Sequence, residues 1–333
     1  MKIALIICTY LRPFPLLKLL ASVQKQTVCP SEIIIVDGST NNETETVLSQ
    51  NHFENLCYFK VSDQDRGLTK QRNYGLKKVS DTTEIICFLD DDTVLAVDYF
   101  EQLSKTYQLY PDALGVGGYI SNETKWDFVG DQYIALANEF YFDGWKRKEG
   151  ARFILRKKIG LDSDCPPGYS SQYSHGRSIG FLPPSDKTYK VEMLMGGVSS
   201  FKKELFDRIQ FSTYFEGYGL YEDADFSLRA SQLGQLYLNT AARLDHFHDA
   251  SGRPNQFQYG KMVVRNGWYV WRTKNPNPKA KDKWKWHAIT ILLTLIRFSN
   301  VIKSNKRKEA LTEALGRTIG WWSLVFNAPQ KTN

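Results

Sequence analysis

Short apolar runs alternate with segments of helical periodicity along the first third of the chain. Residues 3–8, 33–36 and 85–89 are consecutive apolar residues and have the length of buried strands. Residues 16–23 and 68–79 carry apolar side chains at helical spacing, which predicts helices between the strands. Strands and helices that alternate in this way predict a parallel sheet with helices on both faces.

The pattern changes beyond residue 119. Aromatic, glycine, proline and serine residues interrupt 119–189, which predicts loops and short elements near a site. Helical spacing returns at 205–211 and 224–233, and the chain after His248 is aromatic and basic. The apolar stretch 288–298 is too short to span a membrane. These shifts predict an α/β region followed by a helical C-terminal extension.

The positive charge of the chain is concentrated near its C-terminus. The 333 residues carry a net charge of +7, and 42% of them are hydrophobic, which suits one large domain or one domain plus appendages. Residues 274–308 contain ten Lys and Arg against one acid, so this segment carries +9 and the remainder about −2. Tryptophans and lysines around a short apolar helix are typical of segments that bind an anionic membrane surface. Packing of the same apolar face on the rest of the protein is the alternative.

Cysteine usage favours a reducing compartment. The chain has five cysteines, an odd number, and no CxxC pair. Its N-terminus has neither a basic leader nor a small-residue cleavage site. We therefore expect a cytoplasmic protein, with peripheral association at the inner face of the plasma membrane if the basic segment binds lipid. No nucleic-acid partner is expected.

Polar residues follow three of the predicted strands. These clusters are Thr9-Tyr10, Asp37-Gly38-Ser39 and Asp90-Asp91-Asp92. Ligands of open parallel sheets bind beyond the carboxyl ends of the strands, so the three clusters should meet at one crevice. Neither a P-loop nor a GxGxxG motif is present, which argues against a P-loop enzyme or an ordinary dinucleotide-binding protein.

Four groups of residues carry candidate chemistry. Adjacent carboxylates at 90–92 suit Mg²⁺ or Mn²⁺, with a solvated acidic turn as the alternative. Glu222-Asp223 opens a helical segment and could supply a general base or only a helix cap. His246 and His248 could bind metal or only pack, and Arg72 could contact a diphosphate or form a surface ion pair.

Together these residues resemble family 2 glycosyltransferases. The resemblance runs from Lys2 to about residue 251, and the following ordered segments carry it: Cys8-Thr9-Tyr10-Leu11-Arg12, Val36-Asp37-Gly38-Ser39-Thr40, Arg72-Asn73-Tyr74-Gly75, Phe88-Leu89-Asp90-Asp91-Asp92, Gly117-Gly118, Gly196-Gly197, Glu222-Asp223-Ala224-Asp225 and His246. The resemblance implies the GT-A fold, a Rossmann-like nucleotide-binding mixed α/β sheet flanked by helices, here with a helical C-terminal extension. The implied domains are 1–255, with a donor half of about 1–118 and an acceptor half of about 119–255, and an extension over 256–333.

The resemblance also implies roles for individual residues. Asp223 would be the catalytic base, and Asp92 and His246 would bind the divalent metal. Glu222 and Gly197 would lie on the acceptor side. The donor nucleotide-sugar would be bound by Thr9, Tyr10, Arg12, Asp37, Arg72, Asp90 and Asp91. Asp37 runs directly into Gly38 without the usual intervening polar residue, so the base specificity stays open.

The implied reaction is metal-dependent, inverting transfer of a hexosyl group from a nucleotide-sugar, with a UDP-sugar favoured, to a glycan or lipid-linked acceptor. One alternative is a nucleotidyltransferase that acts on sugar phosphates, but the segment after the first strand lacks the glycine-rich loop of that class. A second alternative is a non-catalytic carbohydrate-binding protein that uses Trp126 and Trp145 as stacking platforms.

Overall fold

The computed structural model describes residues 1–248, 254–303 and 305–330. Residue 251, where the resemblance ends, lies outside the described residues. The chain divides into two compact units, Met1–Thr124 with Pro184–Arg253 and Lys125–Pro183 with Pro254–Asn333. This division differs from the ranges expected from the sequence, because the segment that begins at Lys125 shares its contacts with the C-terminal helices.

The strands, in chain order, are β1 (Ile3–Thr9), β2 (Glu32–Asp37), β3 (Leu56–Lys60), β4 (Ile85–Asp90), β5 (Thr93–Leu95), β6 (Ala113–Ile120), β7 (Asp127–Phe128), β8 (Glu139–Phe142), β9 (Trp145–Lys148), β10 (Thr188–Val191), β11 (Val198–Lys202) and β12 (Gln235–His246). The α-helices are α1 (Pro13–Val23), α2 (Glu43–Ser49), α3 (Leu68–Leu76), α4 (Tyr99–Leu109), α5 (Ala151–Lys158), α6 (Glu222–Ser231), α7 (Gln256–Lys274), α8 (Ala280–Lys303) and α9 (Arg307–Phe326). Short 3₁₀ turns cover Ile179–Phe181 and Lys203–Asp207.

The first unit is built around one mixed sheet. Within the described residues its strand order is β10-β12-β6-β11-β4-β1-β2-β3, and β5 pairs with β12. Strands β1, β2 and β4, which were predicted from their apolar runs, are parallel, and β3 is parallel to β2. Strand β11 is antiparallel to both β4 and β6. The predicted α/β fold with a mixed sheet is confirmed. The helix predicted at 205–211 is wrong, since only the 3₁₀ turn that ends at Asp207 forms there.

Buried aliphatic and aromatic side chains hold the helices on this sheet. Leu5 and Ile7 of β1 pack in one core with Leu16 and Leu20 of α1 and with Tyr99 of α4. Each of these side chains is almost entirely inaccessible to solvent. Burial of a side chain of this size contributes about 1.5–3 kcal/mol, so the periodic apolar positions of the first third supply much of the driving force for folding.

The second unit contains a small antiparallel sheet, β7-β9-β8, and the three C-terminal helices. Helices α7 and α9 approach closely because Gly260 and Gly316 lie where they cross, and a Cβ at either position would overlap the backbone of the other helix. Trp268, Trp271 and Trp286 form an apolar cluster with residues of α7 and α9. Among the described residues, no helix combines the length and the apolar character needed to cross a bilayer.

Candidate active site

The pairing of β1 with β2 and β4 brings the predicted polar clusters to one edge of the sheet. Thr9 is opposite Asp37, and Cys8 is opposite Asp90. Since parallel strands end at the same edge, the residues that follow them share one crevice. The loop after β1 is braced there, because Ser39 Oγ accepts a hydrogen bond from the backbone N–H of Leu11 at 2.8 Å.

The three aspartates after β4 have different surroundings. The side chain of Asp90 is 39% exposed, whereas those of Asp91 and Asp92 are buried. Asp91 accepts hydrogen bonds from Thr9 Oγ1 at 2.7 Å and from Arg12 Nη1 at 3.1 Å. Burial raises the pKa of Asp91 to about 7, and Arg12 and Thr9 offset that effect only in part. Asp91 therefore holds Thr9 and Arg12 in place at the end of β1, and donor binding by these two residues stays a prediction.

The antiparallel pairing of β5 with β12 brings His246 to this cluster. His246 is opposite Thr93, and the backbone N–H of Phe247 donates to the carbonyl oxygen of Asp92 at 3.0 Å. This register leaves His246 Nε2 3.0 Å from Asp92 Oδ1. Burial lowers the pKa of His246, but hydrogen bonds with Asp92 and Glu123 outweigh burial and raise it to about 10. The imidazole thus sits in a strongly negative environment.

Glu123 was not found from the sequence. Its Oε1 lies 3.4 Å from His246 Nδ1 and 2.8 Å from His248 Nε2. The neighbouring Asn122 exchanges two hydrogen bonds with the backbone of His246, at 2.9 and 3.0 Å. Glu123 follows β6, and only the parallel pairing of β6 with β12 brings it beside His246. No sequence motif contains Glu123, so it could have been identified only from the pairing of strands that are distant in the chain.

The possible metal ligands at the end of β4 fit a divalent cation. Ligand atoms of Asp90, Asp92 and His246 all lie within 4.8 Å of one another, and Glu123 forms a second such group with His246 and His248. Carboxylate oxygens with one imidazole nitrogen suit Mn²⁺ or Mg²⁺ better than softer metals. His246 is shared by both groups and is the histidine that contacts Asp92, whereas His248 is exposed and contacts Glu123.

A second acidic pair lies at the start of α6. Glu222 is buried and forms an ion pair with Arg72, whose Nη2 also lies 3.7 Å from Asp90 Oδ1. The guanidinium of Arg72 is buried too, over the rings of Phe88 and Phe211. Burial raises the pKa of Glu222 to about 8, and Arg72 opposes this rise. Arg72 therefore links the α6 pair with the β4 cluster, and its contact with a diphosphate stays a prediction.

Asp223 is partly exposed beside two consecutive glycines. Its Oδ2 accepts a hydrogen bond from the backbone N–H of Gly196 at 3.2 Å, and its Oδ1 accepts one from Ala224 at 2.8 Å. A Cβ on Gly197 would overlap the Asp90 carboxylate, and one on Gly196 would overlap Glu222. Asp90 and Asp223 thus flank one Gly-Gly segment that has no room for side chains. Burial raises the pKa of Asp223 above its ordinary value.

The predicted base-binding residue Asp37 is fully buried. Its carboxylate accepts hydrogen bonds from the backbone N–H of Ser39 at 2.7 Å and from Tyr58 Oη at 2.8 Å. Gln71 also braces this edge, because its Nε2 donates to the carbonyl oxygens of Thr9 and Val36. Tyr10 is exposed at the same edge. Direct contact of Asp37 with a nucleobase stays a prediction.

The aromatic residues considered as sugar platforms pack within the small sheet. Trp126 stacks edge-on against Phe140 and lies beneath Arg147, and Trp145 contacts Phe128.

Comparison with known proteins places this geometry in a wider group. The fold is similar to that of GalNAc-T7, solved with UDP, GalNAc and Mn²⁺, with a TM-score of 0.50, 16% identity and coverage of 80% of this chain and 48% of that one. It is also similar to residues 1–349 of Staphylococcus aureus TarS, solved with UDP, with a TM-score of 0.50, 14% identity and coverage of 94% and 80%. These likenesses confirm the GT-A fold.

Sequence relatives match over shorter stretches. A glucosyl-dolichyl phosphate glucuronosyltransferase of Haloferax volcanii is 31% identical over 147 residues, 43% of this chain and 44% of that protein. Across five curated relatives, the match covers between 30% and 58% of each relative's length. The model of glycosyl transferase family 2 matches residues 4–173, about half of the chain. The chain belongs to glycosyl transferase family 2.

Proposed function

We propose that this protein transfers a hexosyl group from a nucleotide-sugar to an acceptor hydroxyl, with inversion at the anomeric carbon and with a divalent metal. The observation that carries the proposal is the position of Asp90 and Asp223 on either side of Gly196-Gly197. A carboxylate cluster that could hold a cation and a partly exposed carboxylate thereby lie next to each other. Inverting transfer needs such a pair, one group for the leaving diphosphate and one for the attacking hydroxyl.

Asp223 is the proposed general base. Its carboxylate would accept the proton of the acceptor hydroxyl while that oxygen forms a bond to the anomeric carbon and the bond to the diphosphate oxygen breaks. Backbone N–H groups of Gly196 and Ala224 orient both of its oxygens. A raised pKa suits this role, because a base works best when its pKa lies nearer the operating pH.

Asp90, Asp92 and His246 are the proposed holders of Mn²⁺ or Mg²⁺. A divalent cation at this position supplies positive charge that stabilises the leaving diphosphate. Arg12 would assist from the β1 side, since it already lies between Asp91 and Asp92. Glu222 and Arg72 would hold the carboxylates of Asp223 and Asp90 in position rather than touch the reacting atoms.

UDP is the favoured donor nucleotide, and a glycan or lipid-linked acceptor is the favoured co-substrate. Two proteins of similar fold were solved with UDP, and one of them also with Mn²⁺. The H. volcanii relative is named for a dolichyl phosphate-linked sugar. A lipid-linked acceptor would place the enzyme at an anionic membrane surface, in keeping with the charge of residues 274–308.

Release of nucleoside diphosphate tests the proposal. The purified protein is incubated with a panel of UDP-, GDP- and dTDP-sugars and Mn²⁺, and free diphosphate is quantified. We expect release from one donor class, loss of release in chelator and loss in Asp223→Asn when acceptor is present. Glu216→Gln is the matched control, because Glu216 precedes α6 but forms only a surface ion pair with Lys70.

Other outcomes would point to the two alternatives. Formation of pyrophosphate from a sugar phosphate and a nucleoside triphosphate would identify a nucleotidyltransferase. Binding of a glycan without diphosphate release from any donor would identify a carbohydrate-binding protein. Either result would contradict the proposal.

A further inference from the structure

The solvent-facing side of α8 is apolar along most of the helix. Trp284, Ile291, Leu295 and Ile302 are between 42% and 81% exposed. Successive members are separated by seven, four and seven residues, so they lie on one stripe of an α-helix. Single exposed apolar residues are ordinary on soluble proteins, but a continuous stripe of them marks an interaction surface.

Helix α9 repeats this arrangement. Leu311, Leu315, Ile319, Trp322 and Phe326 are between 41% and 85% exposed, with spacings of four, four, three and four residues. These positions also form one stripe. We use "apolar face" for the nine residues Trp284, Ile291, Leu295, Ile302, Leu311, Leu315, Ile319, Trp322 and Phe326.

The two helices pack on each other through polar contacts rather than through the apolar face. Arg297 of α8 forms an ion pair with buried Glu313 of α9 at 2.6 Å, and Trp321 Nε1 donates to His287 Nδ1 at 3.1 Å. These contacts pair the start of α8 with the end of α9, so the helices are antiparallel. The inner sides of these helices also bury apolar residues such as Trp286, Ile289 and Leu324, so the apolar face is a second apolar side, directed to solvent.

Exposed cations lie at both ends of this helix pair. Lys279, Lys281 and Lys283 are exposed at the start of α8, and Lys306, Arg307 and Lys308 are exposed at the start of α9. The acids of the two helices are Asp282, Glu309 and Glu313, of which Glu313 is buried between Arg297 and Arg317 and Glu309 lies 3.5 Å from Lys306. The apolar face is therefore bordered by positive charge at each end.

We propose that the apolar face docks on the surface of an anionic lipid bilayer, with its tryptophans and aliphatic side chains at the headgroup–acyl boundary and the bordering cations on lipid phosphates. Neither helix is apolar enough to cross the bilayer, so the helices would lie along its surface. A second copy of the chain is a poorer occupant. Both ends of the apolar face carry cations, so stacking two such faces sets cations against cations in either direction. This inference stands apart from the transfer reaction, since none of these residues belongs to the candidate active site.

Vesicle co-sedimentation of the full chain tests the proposal. Vesicles of phosphatidylcholine with phosphatidylglycerol are compared with phosphatidylcholine alone, at low and high salt. We expect binding to the anionic vesicles, weakened by salt. A quadruple variant Ile291→Gln, Leu295→Gln, Ile319→Gln, Trp322→Gln should bind at least tenfold more weakly, and its fold should be intact because the replaced side chains are exposed.

A second variant removes charge instead of apolar area. Lys279→Gln, Lys281→Gln, Lys283→Gln should weaken binding by roughly fivefold for each cation that contacts the surface. The matched controls change exposed residues elsewhere. The apolar control is Val97→Gln, Leu109→Gln, Ile134→Gln, Leu136→Gln, and the charged control is Lys25→Gln, Lys77→Gln, Lys190→Gln. Both controls should bind as the wild type does, and all variants should keep the wild-type release of diphosphate in the absence of vesicles.

Several results would overturn the proposal. One is a protein that stays in the supernatant with anionic vesicles at low salt. Another is a quadruple variant that binds as tightly as the wild type. A third is the absence of vesicle binding together with a dimer, seen by analytical ultracentrifugation, that the quadruple variant abolishes. This result would assign the apolar face to a second copy of the chain.

Discussion

The acidic cluster at the end of β4 and the acidic pair at the start of α6 share an arrangement. In each, an arginine is paired with buried carboxylate: Arg12 with Asp91 and Asp92, and Arg72 with Glu222. Burial raises the pKa of Asp91 to about 7 and that of Glu222 to about 8. In each case an adjacent carboxylate is more accessible, Asp90 in the cluster and Asp223 in the pair.

The two regions differ in what surrounds the accessible carboxylate. The β4 cluster has the Nε2 atom of His246 and a second carboxylate, Asp92, within ligand distance of Asp90. Asp223 accepts hydrogen bonds from the backbone N–H groups of Gly196 and Ala224. Arg72, the cation whose charge lowers the pKa of Asp223, is paired with Glu222. An aspartate is therefore suited to bind a metal in the β4 cluster and to accept a proton in the α6 pair. The neighbours, rather than the carboxylates themselves, separate the two proposed roles.

Arg72→Met should have the largest effect, on stability. It leaves Glu222 buried without its cation, and breaking a buried pair costs about 3–5 kcal/mol. Arg72 lowers the pKa of Glu222, which is about 8 in the wild type, so that pKa should rise further in the variant. The stability difference between the two proteins should therefore grow as the pH rises through about 8 and above, because only the wild type pairs the charged Glu222 with a cation. Urea unfolding at several pH values measures it.

Arg243→Met is the control for that prediction. Arg243 pairs with exposed Asp186 at 2.7 Å, so its loss should cost no more than about 1 kcal/mol. Equal effects of the two variants would show that the buried link between the acidic regions contributes nothing special.

Asp223→Asn should lower the turnover number by a factor of about 10² or more while donor affinity stays near normal, as expected for loss of a general base. Steady-state kinetics with acceptor present, and calorimetry with UDP, measure the two quantities separately. A variant that retains more than half of the wild-type rate would remove Asp223 from the mechanism.

Asp92→Ala should lower the Mn²⁺-dependent affinity for UDP by about tenfold or more. A diphosphate near bare carboxylates is repelled unless a cation neutralises them. Calorimetry with and without Mn²⁺ measures the difference, and Asp127→Ala, an exposed aspartate of the second unit, serves as the control. If wild-type protein binds UDP equally well in chelator, the metal role of the β4 cluster is wrong.

Glu123→Gln should weaken Mn²⁺ binding by about tenfold, a smaller effect than loss of a ligand. Its carboxylate faces Nδ1 of His246, and partners behind a metal-binding histidine orient the ring and raise its basicity. Electron paramagnetic resonance titration of free Mn²⁺ measures the affinity. An unchanged affinity would limit Glu123 to its contact with His248.

The pH dependence of turnover should show the smallest effect, a displaced acidic limb. Burial raises the pKa of Asp223, so activity should fall as the pH drops through a value above the ordinary 3.8, where the carboxylate becomes protonated and can no longer accept a proton. Turnover at saturating donor and metal is measured across the pH range, with thermal unfolding at each pH to exclude denaturation. A limb at or below the ordinary value would show that Asp223 is not the group that limits turnover at low pH.

Much of the first unit was accessible from local pattern. The apolar runs that became β1, β2 and β4 have the length and composition of buried strands, and their polar ends follow directly in the chain. Helix α6 begins at Glu222, two residues before the predicted start at residue 224. The residues of the sequence motifs could therefore be identified individually from the sequence, but their contacts with one another could not.

Contacts between distant strands decided the rest. Insertion of antiparallel β11 between β4 and β6 sets Gly197 against Asp90, and the pairing of β12 with β5 and β6 brings His246 to Asp92 and to Glu123. Strand pairing of this kind depends on which edges meet after the helices have packed, and no local periodicity records it. For the same reason the sequence showed an apolar, basic C-terminal segment but not which side of it faces solvent.

The sequence by itself determined the alternating strands and helices, the strand-end carboxylates, the family and the uneven charge, because each depends on residue types close together in the chain. The tertiary structure alone decided which acid is buried beside an arginine, which histidine meets Asp92, and that α8 and α9 direct their apolar stripes outwards. Burial and charge environment are properties of a side chain's neighbours in space, and those neighbours are set by packing between segments far apart in sequence.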